Sequence, residues 1–137
     1  MGDTIRKVEY FHMSAPNKAG EGAKILSVLW ESGINLLAFT GFPTGRKTQI
    51  DLVPEDTESL KKVAKKARFK LSVKKTGFLV QGTDRVGAIA EILSELSTAK
   101  INITAMDAVT AGEGRYGAIF WVKPADVKKT AKTLGSF

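Results

Sequence analysis

Asp84, Arg85 and Gly87 stand together in "GTDRVGAIAEILSEL", Gly82 to Leu96, directly ahead of an apolar helical pattern. An acid, a base and a residue without a side chain at a helix start suit one kind of chemistry. The first amides of a helix have no internal acceptor and carry the positive end of its dipole, so they attract a carboxylate. Glycine lets a ligand approach that backbone and tolerates a positive φ. The arrangement occurs earlier in "APNKAGEGAKILSVL", Ala15 to Leu29, where Gly20 stands 67 residues before Gly87. Glycine before a helix also serves a turn alone, and Asp84 also suits an N-cap. At this level both readings stay open.

Catalysis asks for more than the chain offers, because it has one histidine and no cysteine. His12 falls in an apparent strand, either as a half-exposed strand residue or as a ligand contact at the strand's end. No convergent metal ligands assemble. "GEGAKI" lacks the third glycine of a dinucleotide loop, and no phosphate-cradling "GxxxxGK[ST]" occurs. The expectation is a protein without catalytic residues, metal ligands or cofactor.

The 137 residues make one ordinary domain or two small halves that lean on each other. Hydrophobic content of 43% and charged content of 26% are those of a soluble globular protein, and no apolar run approaches a membrane span. "MGDTIRKVEY" leads into an alternating pattern without a signal-peptide core, so a cytoplasmic protein with no membrane partner is expected. The net charge of +7 suits an anionic partner. Much of it lies in "KKVAKKARFKLSVKK", where Leu60, Val63, Ala64 and Ala67 turn inward and Lys61, Lys62, Lys65 and Lys66 outward. That stretch, residues 60–75, is either a solvated face or a surface for nucleic acid or another acidic partner.

The elements that hold the glycine loops follow from periodicity. "VEYFHMSA" alternates as a strand, and a helix follows on Ala23, Leu26, Leu29 and Trp30, stopped by Gly33. "NLLAFTGF" and "KTQIDLVP" are strands joined by a turn over Pro43 to Arg46. Asp56 or Thr57 caps the lysine-rich helix, and "RFKLSVK" from Arg68 reads as a fourth strand. The second half restarts with "GFLVQG", a helix on Ile89, Ile92, Leu93 and Leu96, strands "NITAMDAV" and "RYGAIFWV", and a helix "ADVKKTAK". Only "LGSF" remains after it, so the second repeat lacks a full last strand and is left with an edge unpaired or completed elsewhere.

Identities at the offset of 67 include Ile25 with Ile92, Leu29 with Leu96 and Asn35 with Asn102, the mark of a duplicated unit. Two βαββαβ repeats follow, residues 4–74 and 75–137, each an α+β ferredoxin-like unit with an antiparallel sheet and helices on one face. "RYGAIFWV" is apolar on both alternating sets, so its helix-free side is expected to pack on a second chain or on the sister repeat, most economically as a homodimer.

A strand leading into "DRVGAIAEIL" and then "INI" resembles the ACT domain, a small ligand-binding module attached to many amino-acid-metabolism enzymes and regulators. The second repeat is the nearer match, with Val86 at the family's usual proline; the first reads "NKAGEGAKIL". The resemblance implies amino-acid or related carboxylate ligands at this loop and at the start of the next strand, across an interface between paired domains. The implied site residues are Asn17, Lys18, Ala19 and Gly20 with Asn35, and Asp84, Arg85, Val86 and Gly87 with Asn102. It also implies a regulatory role exerted on a separate target protein. RNA-recognition motifs share the fold, but "RYGAIFWV" lacks their stacking aromatics at the required places, and nucleic acid is not the expected partner.

Overall fold

The computed structural model describes residues 3–136. Six strands and four helices form in the order β1 (Thr4–Pro16), α1 (Glu21–Glu31), β2 (Leu36–Thr44), β3 (Lys47–Pro54), α2 (Thr57–Ala67), β4 (Lys75–Thr83), α3 (Ala88–Thr98), β5 (Ile103–Gly112), β6 (Arg115–Val122) and α4 (Val127–Leu134). The chain is α+β and packs as two compact units, Glu9–Lys75 and Met1–Val8 with Thr76–Phe137. The expected division falls between residues 74 and 75; in packing, the first half of β1 goes with the later residues.

In the unit of residues 9–75, β3 lies antiparallel between β1 and β2, with Phe11 opposite Leu52 and Phe39 opposite Leu52 on the other side. Alternation turns Ile50 and Leu52 toward the helices, where they meet Ile25 and Leu29 of α1 and Leu60 of α2. Asp56 caps α2, its carboxylate accepting from the Ser59 amide at 3.2 Å. The inward face of α1 is Ile25, Leu26 and Leu29, whereas Ala23 is exposed and Trp30 is 81% exposed. The expectation that Ala23 and Trp30 join that face is corrected: at 100° per residue the Ile25–Leu29 stripe centres the buried arc away from both.

The strand expected from Arg68 does not form. Arg68 takes the left-handed conformation, φ 61°, that ends α2, and the Phe69 amide returns to the Ala64 carbonyl at 2.8 Å. Phe69 and Leu71 do alternate inward onto the core. Their segment is tied to β1 at one point, where the Ser72 amide donates to His12 O at 2.8 Å and the His12 amide donates to Ser72 Oγ at 3.0 Å. A hydroxyl stands there in place of a backbone carbonyl, and no ladder propagates.

In the other unit β6 lies antiparallel between β4 and β5. Phe78 and Phe120 face each other across the ladder with stacked rings 5.2 Å apart, a geometry that adds about 1 kcal/mol beyond area burial. They pack with Ile92 and Leu96 of α3, while Leu93 is 43% exposed. No strand follows α4 among the described residues. Ile5 of β1 packs on this core, and Asp3 lies over Gly82 of β4. Ile119 and Trp121, on the helix-free face of β6, are each 5% exposed within the single chain.

The two units repeat their helix ends. The Ile34 amide donates to Leu29 O and the Ile101 amide to Leu96 O, both at 2.9 Å. Gly33 and Lys100 take the same left-handed position, with φ 73° and 59°.

Candidate ligand-binding site

Gly87 precedes α3 with φ 84° and Gly20 precedes α1 with φ 89°. Neither helix has a side-chain cap, and a Cβ added at either glycine would meet no atom within 4 Å. In α3 the Ala88 amide turns back to Arg85 O at 3.3 Å and the Glu91 amide donates to Gly87 O at 3.0 Å. The amides of Ile89 and Ala90, between them, have no acceptor within the helix. They border a cleft of about 420 Å³ whose walls include Asp84, Gly87, Ala108, Thr110 and Tyr116. Concave volume, positive helix end and glycine coincide here, a combination suited to a small carboxylate.

The two loops are anchored alike. The Asp84 amide donates to Gly114 O at 2.8 Å and the Asn17 amide to Arg46 O at 3.1 Å, each fastening the loop to the neighbouring hairpin turn. The side chains then differ. Asn17 Oδ1 accepts from the Thr48 hydroxyl at 3.3 Å, whereas Asp84 is exposed. Lys18 and Ala19 are exposed, and Val86 is fully so. Arg85 turns back from the loop tip and is held by the protein's own oxygens. It donates to Asp3 Oδ1 at 3.1 Å, Asp3 Oδ2 at 3.3 Å, Glu91 Oε2 at 2.8 Å and Thr83 O at 2.9 Å.

Burial works to raise the Asp3 carboxyl, but Arg85, then Tyr116 and Arg115, together hold it below the ordinary value of 3.8. Burial, followed by the Asp3 carboxylate, pushes the Tyr116 phenol up to about 12. Asp3 had no signal in the sequence as a member of this site, because its partners are more than seventy residues away. The only local hint was a glycine, Gly82, in the middle of an otherwise side-chain-rich strand.

Asn35 and Asn102 do not meet the glycine loops within their own units. Each follows an 11-residue helix, about 16 Å long, that starts at the glycine. Asn35 Nδ2 donates to Glu55 Oε2 at 3.2 Å, and Asn102 lines a separate hollow with Leu93 and Lys100. The lysines of α2 are outward, with Lys61 paired to Glu58 at 3.6 Å. Among the described residues no three His, Cys, Asp or Glu side chains gather as a metal site, and no helix is long and apolar enough to cross a membrane.

Solved structures match nearly the whole chain. A protein from Bacteroides thetaiotaomicron aligns with a TM-score of 0.78 at 20% identity, over 97% of this chain and 88% of its own. The ligand-free regulatory subunit of aspartate kinase from Thermus thermophilus aligns with a TM-score of 0.65 at 14% identity, over 98% and 95%. At such identities the likeness is one of fold. No curated protein sequence matches significantly. The family model described as ACT domain matches residues 78–136, the stretch that holds Gly87, its cleft and Asn102. Over that stretch the chain is similar to the ACT domain.

Proposed function

We propose that the protein is a non-enzymatic regulatory module that binds an amino acid or a related small carboxylate at the Gly87 cleft. The observation that carries this reading is the uncapped start of α3: a left-handed glycine, two amides without helical acceptors and open space in front of them. The ligand carboxylate lies against the Ile89 and Ala90 amides, and Asp84, exposed at the rim, receives an ammonium group. Arg85 also lines this cleft, its guanidinium held by Asp3 and Glu91. The likeness of residues 9–75 in element order, loop anchor and helix cap supports reading them as a second ACT-like repeat, with Gly20 as a weaker site that lacks the acid. Asn35 and Asn102 join such sites only if a second copy brings them, as a homodimer would. A ligand that prefers one arrangement of copies shifts the equilibrium toward it, and a separate target protein reads the result.

A thermal-shift screen of the twenty amino acids tests the reading. Ligand at 100 times its Kd stabilises the folded state by about 2.7 kcal/mol, a readily measured rise in Tm. Gly87→Asn keeps a residue that tolerates the left-handed backbone but places a side chain in the open space, and it is expected to abolish the rise. A rise that survives in Gly87→Asn, or none with any amino acid, overturns the proposal.

A further inference from the structure

A second concave site lies in the unit of residues 9–75, independent of the Gly87 cleft. The ladder sets His12 opposite Asp51, Ser14 opposite Gln49 and Pro16 opposite Lys47. Alternation places His12, Lys47, Gln49 and Asp51 on the face away from Ile50 and Leu52, which are in the core. The segment tied to β1 by Ser72 brings Lys70 to the same place. The result is a cleft of about 400 Å³ whose lining includes His12, Lys47, Gln49, Lys70 and Ser72.

The charges in this cleft are unbalanced. Lys24, Lys61 and Lys74 each have a carboxylate within 4 Å, but Lys47 and Lys70 have none among the described residues. Asp51 is the one acid on these strands' shared face, and its oxygens are already engaged, Oδ2 by the Thr40 hydroxyl at 2.9 Å and Oδ1 by Gln49 Nε2 at 3.1 Å. Two ammonium groups and an imidazole therefore line one hollow, and Asp51, the acid on that face, is not among its lining residues. An anion placed there relieves their mutual repulsion and gains charge-assisted hydrogen bonds. The volume is that of a small-molecule site.

We propose that this cleft binds a small multivalent oxyanion, a phosphate ester or a polycarboxylate, clamped between Lys47 and Lys70 and contacted by His12. His12 shares its face of the ladder with Asp51 and Lys47, and Lys70 lines the same cleft.

His12 is the only histidine, so its ring protons are a unique NMR reporter. The full chain is titrated with pyrophosphate, with citrate, and with sodium chloride at matched ionic strength. Saturating oxyanion is expected to shift the His12 ring-proton resonances along a saturable curve. Lys47→Gln with Lys70→Gln is expected to weaken binding at least about tenfold, while Lys62→Gln with Lys65→Gln on α2 leaves it unchanged. A response to pyrophosphate alone assigns phosphate esters, and one to citrate alone assigns polycarboxylates. No saturable response to either anion, a response that sodium chloride reproduces by screening, or one that persists in the Lys47/Lys70 double variant overturns the proposal. The amino-acid screen at the Gly87 cleft can fail without touching this result.

Discussion

Asp3 and Arg85, 82 positions apart in the chain, meet through two hydrogen bonds of 3.1 and 3.3 Å that match the two carboxylate oxygens to the guanidinium fork. The pair fastens Asp3, just ahead of β1, to the loop that leads into α3. Replacing Asp3 with Asn leaves Arg85 on Glu91 and Thr83 O but loosens this fastening, with an expected loss of roughly 5 °C in Tm at neutral pH. Because the folded-state carboxyl is held below 3.8, its stabilisation is fully present above that value and is lost as pH falls through the depressed folded-state pKa. The stability difference between the native protein and Asp3→Asn should therefore vanish in acid. Denaturant melts at pH 7 and below pH 3 check this; a difference that persists in acid removes the carboxylate from the account.

Gly82 exists to make room for that carboxylate. A Cβ there would overlap Asp3 Oδ1 and lie 2.9 Å from both Asp3 Cγ and Tyr116 Cε1. Gly82→Ala is expected to cost about 1–3 kcal/mol through overpacking. In an Asp3→Ala background one of the two clashes is gone, so the same substitution should cost measurably less. A double-mutant cycle by denaturant unfolding gives the coupling, expected above about 0.5 kcal/mol. Strict additivity would mean that Asp3 does not sit over Gly82.

The chain has two tyrosines, Tyr10 and Tyr116, and neither should ionise at the ordinary value of 10. Tyr10 is raised by burial and then by Asp51, and Tyr116 to about 12 by burial and then by Asp3. Since the unfolded chain releases these protons first, stability should fall as pH rises above 10 and level off beyond about 12. Ultraviolet titration of phenolate absorbance should show the upper step, moved downward in Asp3→Asn. An unmoved step would separate Tyr116 from Asp3.

Local signals were sufficient wherever one segment decides its own conformation. β3 begins and ends as the alternation of "KTQIDLVP" requires, Asp56 caps α2, and the left-handed Gly20 and Gly87 open their helices. The glycine loops, and hence the candidate cleft, were legible because a helix start is a short-range event. What depended on distant partners was not. Phe69 and Leu71 alternate like a strand, yet their apolar contacts are satisfied by packing while the backbone follows the left-handed exit at Arg68. The unit that holds β4 to β6 is completed by Asp3 and Ile5 from the other end of the sequence, which no periodicity announces. Trp30 showed how spacing alone misleads: it fitted a helical stripe with Leu26 and Leu29, but Ile25 and Leu29 centre the buried arc of α1 elsewhere. Trp30→Ala should accordingly change stability by less than about 0.5 kcal/mol, against about 2–5 kcal/mol for Leu29→Ala, and equal costs would reverse the assignment of that face.

Lys100 carries the remaining local conflict. It occupies, with φ 59°, the position that Gly33 occupies with φ 73° in the other unit, and in both units the next residue's amide closes the helix end at 2.9 Å. A left-handed backbone costs a residue with a side chain roughly 1–2 kcal/mol relative to the right-handed form. Glycine removes that cost but gives up about 0.5–1 kcal/mol through the greater freedom of the unfolded chain. The lysine is exposed and makes no ion pair among the described residues, so nothing else is lost. Lys100→Gly should therefore stabilise the protein by up to about 1 kcal/mol, while Gly33→Lys should destabilise it by a similar amount. Paired denaturant melts decide the matter, and a destabilising Lys100→Gly would show that the side chain itself holds the helix end.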